Sequence, residues 1–223
     1  MFLKKTFILT ANNGMRNRAY NVIVLVLVLL VAPCVAQGGD DNGAEREYQI
    51  KAAFIYNFIK FVDWPKEKLR DSNEPVIIGI IGKDPFGNAF APVQDKSDKG
   101  KKVAIKHFRS FQELKKSNVK DQDVLDRQIR AMRSSHLLFI CPSEEESLGA
   151  IMDAVKGYNV LTVGQMQGFL ESGGVINFLM EEKKVRFEIN VTAARRAKLQ
   201  IRSQLLRLAK RIIEEKDAEG NKK

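Results

Sequence analysis

The residues able to carry chemistry are few in this 223-residue chain, and their spacing gives them little to do together. The two histidines, His107 and His136, fall at the end of one apolar run and the start of another. No HExxH, Gly-x-Ser-x-Gly or paired-cysteine pattern surrounds them, so neither a metal centre nor a hydrolytic triad is indicated. Cys141 closes an apolar run and reads as a packed, inert thiol rather than a nucleophile. Gly82-Lys83-Asp84-Pro85-Phe86-Gly87 has glycines five apart but lacks the Gly-Lys-Ser/Thr ending of a phosphate loop. It reads as a strand-to-helix turn with Asp84 as the cap. The expectation is no enzyme, and no catalytic, cofactor-binding or metal-binding residues.

Binding is better provided for than catalysis. If the strands run parallel, Asp84, Ser143 and Gln165 gather beyond their carboxyl ends, where open α/β sheets hold ligands, and form a candidate pocket. In the last apolar-basic stretch, Leu199, Leu206 and Ile213 recur every seven residues among Arg202, Arg207 and Lys210. This line is a candidate partner surface, or else packs on a neighbouring helix of the same domain. Arg186 and Glu188 share one strand face, as a structural ion pair or a recognition pair. The stripe Phe54, Phe58, Phe61 with Trp64 has helical spacing and is expected in the core.

The elements that would position these residues begin after a leader. The first 36 residues hold Lys4, Lys5, Arg16 and Arg18 and no acid, ahead of an apolar run at 22–32. That run is shorter than the ~20 residues a membrane span requires and matches a secretory leader cleaved between Ala36 and Gln37, with translation starting at Met1 or Met15. Cys34 follows a proline, which disfavours lipidation. The net charge of +10 falls to +6 without the leader, and that excess sits in residues 191–216. An exported chain does not meet nucleic acid, so the basic stretch serves a protein, a membrane surface or solvation. Of the two cysteines only Cys141 remains, and no internal disulfide can form.

A polar leash at 37–44 precedes a helix over 45–64, which two apolar lines, including Ala52, Ile55 and Ile59, make a sandwiched rather than a surface helix. Strands come next at 75–82, 102–108, 136–140 and 159–163, with helices at 111–116, 143–156 and 166–171, and only weak helical character at 117–134. Ser143-Glu144-Glu145-Glu146 is a capping box opening the second of these helices. Residues 175–180 and 185–190 form a hairpin, a long helix fills 192–215, and 217–223 is a charged tail. The fold class is α/β: one sandwich domain over 45–216, with a mixed, largely parallel sheet, helices on both faces, a late β-hairpin and a long C-terminal helix.

These motifs resemble a known family. Lys51, Phe54, Tyr56, Asn57, Phe58 and Trp64 in KAAFIYNFIKFVDWP, then Gly82 in IIGKDPFG, look like the opening of the YfiR/HmsC-like periplasmic family. Gly164, Gly173, Gly174, Asn177, Arg186, Phe187, Glu188 and Asn190, followed by AARRA, resemble its C-terminal signature. The resemblance implies a non-enzymatic periplasmic protein without cofactor that binds the periplasmic sensor region of an inner-membrane diguanylate cyclase, lowering cyclic di-GMP and biofilm formation. The alternative is a ligand-sensing module serving a membrane histidine kinase or a transport system. A second copy of the chain is a further candidate partner.

Overall fold

A computed structural model describes residues 41–69, 74–94, 102–116 and 122–214. The expected leader, its cleavage site and the expected charged tail lie outside the described residues. Seven strands form one sheet: β2 (Val76–Ile81), β3 (Val103–Phe108), β4 (Leu137–Ile140), β5 (Leu161–Gly164), β6 (Ile176–Glu181), β7 (Lys184–Asn190) and β9 (Arg211–Ile213). Their spatial order is β3-β2-β4-β5-β6-β7-β9. The first five in that order are parallel, β6 and β7 pair as an antiparallel hairpin, and β9 lies parallel to β7 at the edge.

The continuous β-branched runs are buried on both faces, as parallel strands require. Ile78, Ile80, Leu137, Phe139, Leu161 and Val163 face the core under helix α1 (Asp41–Phe61), while Ile81, Leu138 and Ile140 face the opposite core. That second core is closed by α4 (Gln122–Ser134) and α5 (Leu148–Val155), through Leu125, Met132, Leu148 and Ile151. Short helices α2 (Ala91–Gln94) and α3 (Phe111–Lys116) flank β3 in the chain. On α1, Ala52, Ile55, Tyr56 and Phe58 are buried while Ile50 and Ala53 are exposed, so the helix presents one wide buried arc rather than two. Phe58 stacks on Phe178 with centroids 5.6 Å apart and meets Phe187 edge-on at 5.1 Å, which places the aromatic stripe in the core.

The described parts of the expected leash are helical, since α1 already starts at Asp41. Residues 166–171 form turns, not a helix, and 122–134 is a well-formed helix rather than a weak one. The hairpin turn is tighter than expected: Glu182 and Lys183 both take positive φ, +49° and +61°, the geometry of a two-residue type I′ turn.

The largest difference concerns the C-terminal stretch, where there is no long helix. Instead α6 (Val191–Arg196) is followed by β8 (Gln200–Ile201), α7 (Ser203–Leu206) and β9. Asn190 caps α6 by accepting from the Ala193 amide at 2.8 Å. Lys198 then takes φ +55°, which ends the helix and turns Leu199 into the core at 3 % exposure. The strand β8 pairs antiparallel with β1 (Val62–Asp63), at the end of α1, in the register Val62↔Ile201. The apolar residues here belong to successive short elements, Leu199 and Leu205 in the core under α1, Ile213 against the opposite core and Leu208 and Ile212 exposed, and their spacing imitates a helical stripe.

Candidate functional site

The chemistry-bearing residues are held apart from one another. His136 opens β4 and Cys141 follows its end, so the length of the strand, roughly 16 Å at 3.3 Å per residue, keeps them from acting as a pair. His136 is buried, with Nδ1 accepting from the Ile77 amide at 3.1 Å and Nε2 3.2 Å from the Lys68 carbonyl. It ties the start of the sheet to the short 3₁₀ turn at Lys66–Leu69. Burial pushes the Lys68 amine down to about 8, and its Nζ donates to the Arg133 carbonyl at 2.7 Å. Cys141 is fully buried, and desolvation, aided by the charges of Asp84 and Glu144, pushes its thiol up to about 12. His107 is exposed and sits 2.7 Å from Asp84 Oδ2. Among the described residues no group of three His, Cys, Asp or Glu side chains could hold a metal ion.

The three residues of the expected pocket do lie at the carboxyl ends of parallel strands, but their hydrogen bonds tie them to different partners. Gln165 donates to the Tyr48 hydroxyl at 2.7 Å and accepts from Lys51 Nζ at 2.6 Å. Lys51 also pairs with Glu47, and is only 2 % exposed. Tyr48 meets Phe86 edge-on at 5.3 Å, and Asp84 Oδ1 accepts from the Phe86 amide at 2.8 Å in an Asx turn. Asp84 leads into a turn, so it caps no helix directly. Gln165 is thus engaged in fastening the helix to the sheet, while Asp84 holds the turn after β2 and meets His107.

Ser143 belongs to a different constellation. The sheet order runs from β2 outward to β3 and then back across to β4, so the chain changes direction at the carboxyl ends of β2 and β4. A cavity of about 540 Å³ opens there, lined by Gly82, Lys83, Arg109, Ser110, Gln112, Glu113, Ser143 and Glu144. The expected capping box does not form: Cys141 is the N-cap and makes no side-chain cap bond, Ser143 Oγ accepts from the Lys83 amide at 2.9 Å, and Glu144 turns inward. Its Oε2 accepts from the Phe111 amide at 2.9 Å, while Oε1 is buried with no hydrogen-bond partner among the described residues. Gly82, at φ +94°, is required here because a Cβ would stand 2.5 Å from Ser143 Oγ and 2.9 Å from Glu144 Oε1.

Other motif residues are structural. Phe169 wedges against Gly164 and Gly174, where a Cβ at either position would come within 2.5 Å of its ring. Asn177 accepts from the Met166 amide at 3.1 Å. Arg186 is exposed, and Glu188 pairs instead with Arg211 through two bonds of 2.9 and 2.8 Å, which raise the guanidinium above its ordinary value. Sequence reasoning missed Arg211, because the strand β9 that carries it was read as helix.

The candidate partner line is dispersed with that helix. Leu199 is in the core, Leu206 packs partly against it, and Ile213 lies on β9 against the opposite core. Arg202 makes a two-bond pair with Asp63, and Lys210 pairs with Glu181, holding that carboxyl below its usual range. Arg207 remains exposed. The apolar residues that this stretch exposes are Leu208, at 52 %, and Ile212, at 45 %, the latter on the sheet's edge strand.

The family model described as YfiR/HmsC-like matches residues 48–210. No protein of curated function matches the chain. Among solved structures, a conserved domain protein from Vibrio cholerae O1 biovar eltor aligns at 11 % identity and TM-score 0.48, covering 74 % of this chain and 60 % of its own. An ABC domain in complex with L-Trp from Streptococcus pneumoniae aligns at 11 % identity and TM-score 0.47, with 75 % and 60 % coverage. The chain thus spans less than two thirds of either structure it aligns with. Among the described residues no helix is long and apolar enough to cross a membrane.

Proposed function

Because the chain belongs to the YfiR/HmsC-like family, we propose that it is a non-enzymatic periplasmic regulator, exported by a cleaved leader. It binds the periplasmic sensor region of an inner-membrane diguanylate cyclase, and restrains cyclic di-GMP synthesis and biofilm formation. The family match over 48–210 carries this reading. The site chemistry is consistent with it: both histidines and the cysteine are bound into structural roles or held apart, and the remaining polar networks fasten elements together.

With Leu199 in the core and Leu206 half-buried, we propose a different partner surface. Leu208 and Ile212, with Arg207 nearby in the chain, replace the expected Leu199, Leu206 and Ile213 line. An exposed apolar side chain on the edge strand and another in the turn before it, with Arg207 exposed beside them in the chain, suit an acidic partner, the apolar centre giving affinity and the base steering the encounter. The test is co-purification with the periplasmic region of a cyclase encoded beside this protein. Leu208→Glu combined with Ile212→Glu is expected to abolish capture while the fold is retained. Undiminished capture would remove this surface from the reading, and capture by a histidine kinase sensor instead would favour the ligand-sensing alternative. Light scattering on the same samples reports whether a second copy is the partner of this edge.

A further inference from the structure

The cavity at the carboxyl ends of β2 and β4 goes beyond the regulator reading, since nothing in protein–protein recognition calls for it. Three independent features meet there. The first is position: the chain changes direction between these two strands, which is where an open α/β sheet leaves a crevice. The second is space, about 540 Å³ on the side that α1 does not fill, within the range that holds a small solute. The third is an unanswered acceptor. Glu144 is fully buried, its Oε2 is spent on the Phe111 amide, and its Oε1 has no donor among the described residues. A buried carboxylate oxygen left unpaired costs more than a neutral acceptor would, and a donor brought by a ligand would remove that cost.

The rest of the lining defines the ligand further. Every side chain around the cavity ends in a polar or charged group, so recognition there falls to hydrogen bonds and ion pairs. Lys83 and Arg109 are exposed at the lining and make no ion pair among the described residues, and these two cations take an anionic group. We propose that the crevice between β2 and β4 is a binding site for a small polar zwitterion, whose N–H-bearing cationic end is received by Glu144 Oε1 and whose anionic end is received by Lys83 and Arg109. Ligand binding at this point would bridge the segments that follow β2, β3 and β4, giving the regulator an input on a face distinct from the edge strand β9.

Phosphoethanolamine is the probe, because it carries an ammonium and a phosphate two carbons apart. Calorimetry on the purified protein is expected to show saturable binding. Phosphocholine, which keeps both charges but has no N–H, and inorganic phosphate should each bind at least about tenfold more weakly, as should Glu144→Gln. The pair Lys83→Ser and Arg109→Ser, on exposed positions that leave the core untouched, should weaken binding by a similar factor and remain folded by circular dichroism even if Glu144→Gln does not. Vesicles of phosphatidylethanolamine separate a lipid headgroup from the free solute, the solute being the expected ligand. Absence of saturable binding at millimolar phosphoethanolamine, equal affinity for phosphocholine, retention of affinity in the Lys83 and Arg109 variant, or binding of vesicles alone would each overturn the proposal. None of these results depends on the cyclase, so the site and the regulator reading fail separately.

Discussion

Truncating Leu199 to alanine separates the core assignment of the C-terminal stretch from the partner line that the seven-residue spacing suggested. Leu199 is 3 % exposed and lies in the cluster with Phe58, Val62, Ala194 and Leu205. Two constraints keep that cluster from collapsing onto a vacated space: β8 is paired with β1, and the Leu199 amide is tied to the Ala194 carbonyl at 2.9 Å. Leu→Ala at a buried, constrained position costs about 3 kcal/mol, from the lost transfer energy and the cavity left behind. For a domain of this size each kcal/mol moves the melting temperature by ~2–4 °C, so Leu199→Ala should melt roughly 6–12 °C below the parent. Leu208→Ala, at a site 52 % exposed, should change it by no more than about 1–2 °C. Thermal unfolding followed by circular dichroism on the two variants decides the matter. If Leu199→Ala melted with the parent while Leu208→Ala fell, the burial assigned to this segment would be wrong.

Three further outcomes rest on side chains and backbone angles. The folded protein should resist thiol reagents at neutral pH and react at Cys141 only on denaturation, since burial raises the thiol from 9.0 to about 12. The unfolded chain releases that proton first, so stability is complete below pH 9, declines as pH rises toward 12, and should do so less in Cys141→Ala when urea unfolding is compared across that window. In the hairpin, Glu182→Asn with Lys183→Gly should raise stability by about 0.5–1 kcal/mol, because both positions hold positive φ that these residues adopt at lower cost. An unchanged or lowered denaturation midpoint would mean that the turn is not strained.

The central sheet was legible in the sequence because its determinants are local. Unbroken β-branched runs such as Val76–Ile81, bounded by Pro and Gly, suit strands buried on both faces of a parallel sheet, and Glu181 to Lys184 closes a hairpin whose two arms alternate. The C-terminal stretch was not legible, because a single backbone angle at Lys198 decides whether Ala194 and Leu199 continue a helix or leave it, and apolar spacing carries no record of that angle. The pocket was half visible. Topology placed Ser143 at the right edge of the sheet, but the spacing Ser143-Glu144-Glu145-Glu146 argued for a local cap. Only the fold shows Glu144 reaching 33 residues back along the chain to Phe111. Likewise Gln165 and Lys51, 114 residues apart in the chain, meet only because α1 lies across the strand ends.

Restraint of a membrane diguanylate cyclase is read from the intracellular cyclic di-GMP level in a strain lacking this protein. The level should rise on deletion and return to the parental value when the protein is restored with its leader, but not when the Leu208→Glu, Ile212→Glu form is supplied. A cyclic di-GMP level unchanged by deletion would contradict it.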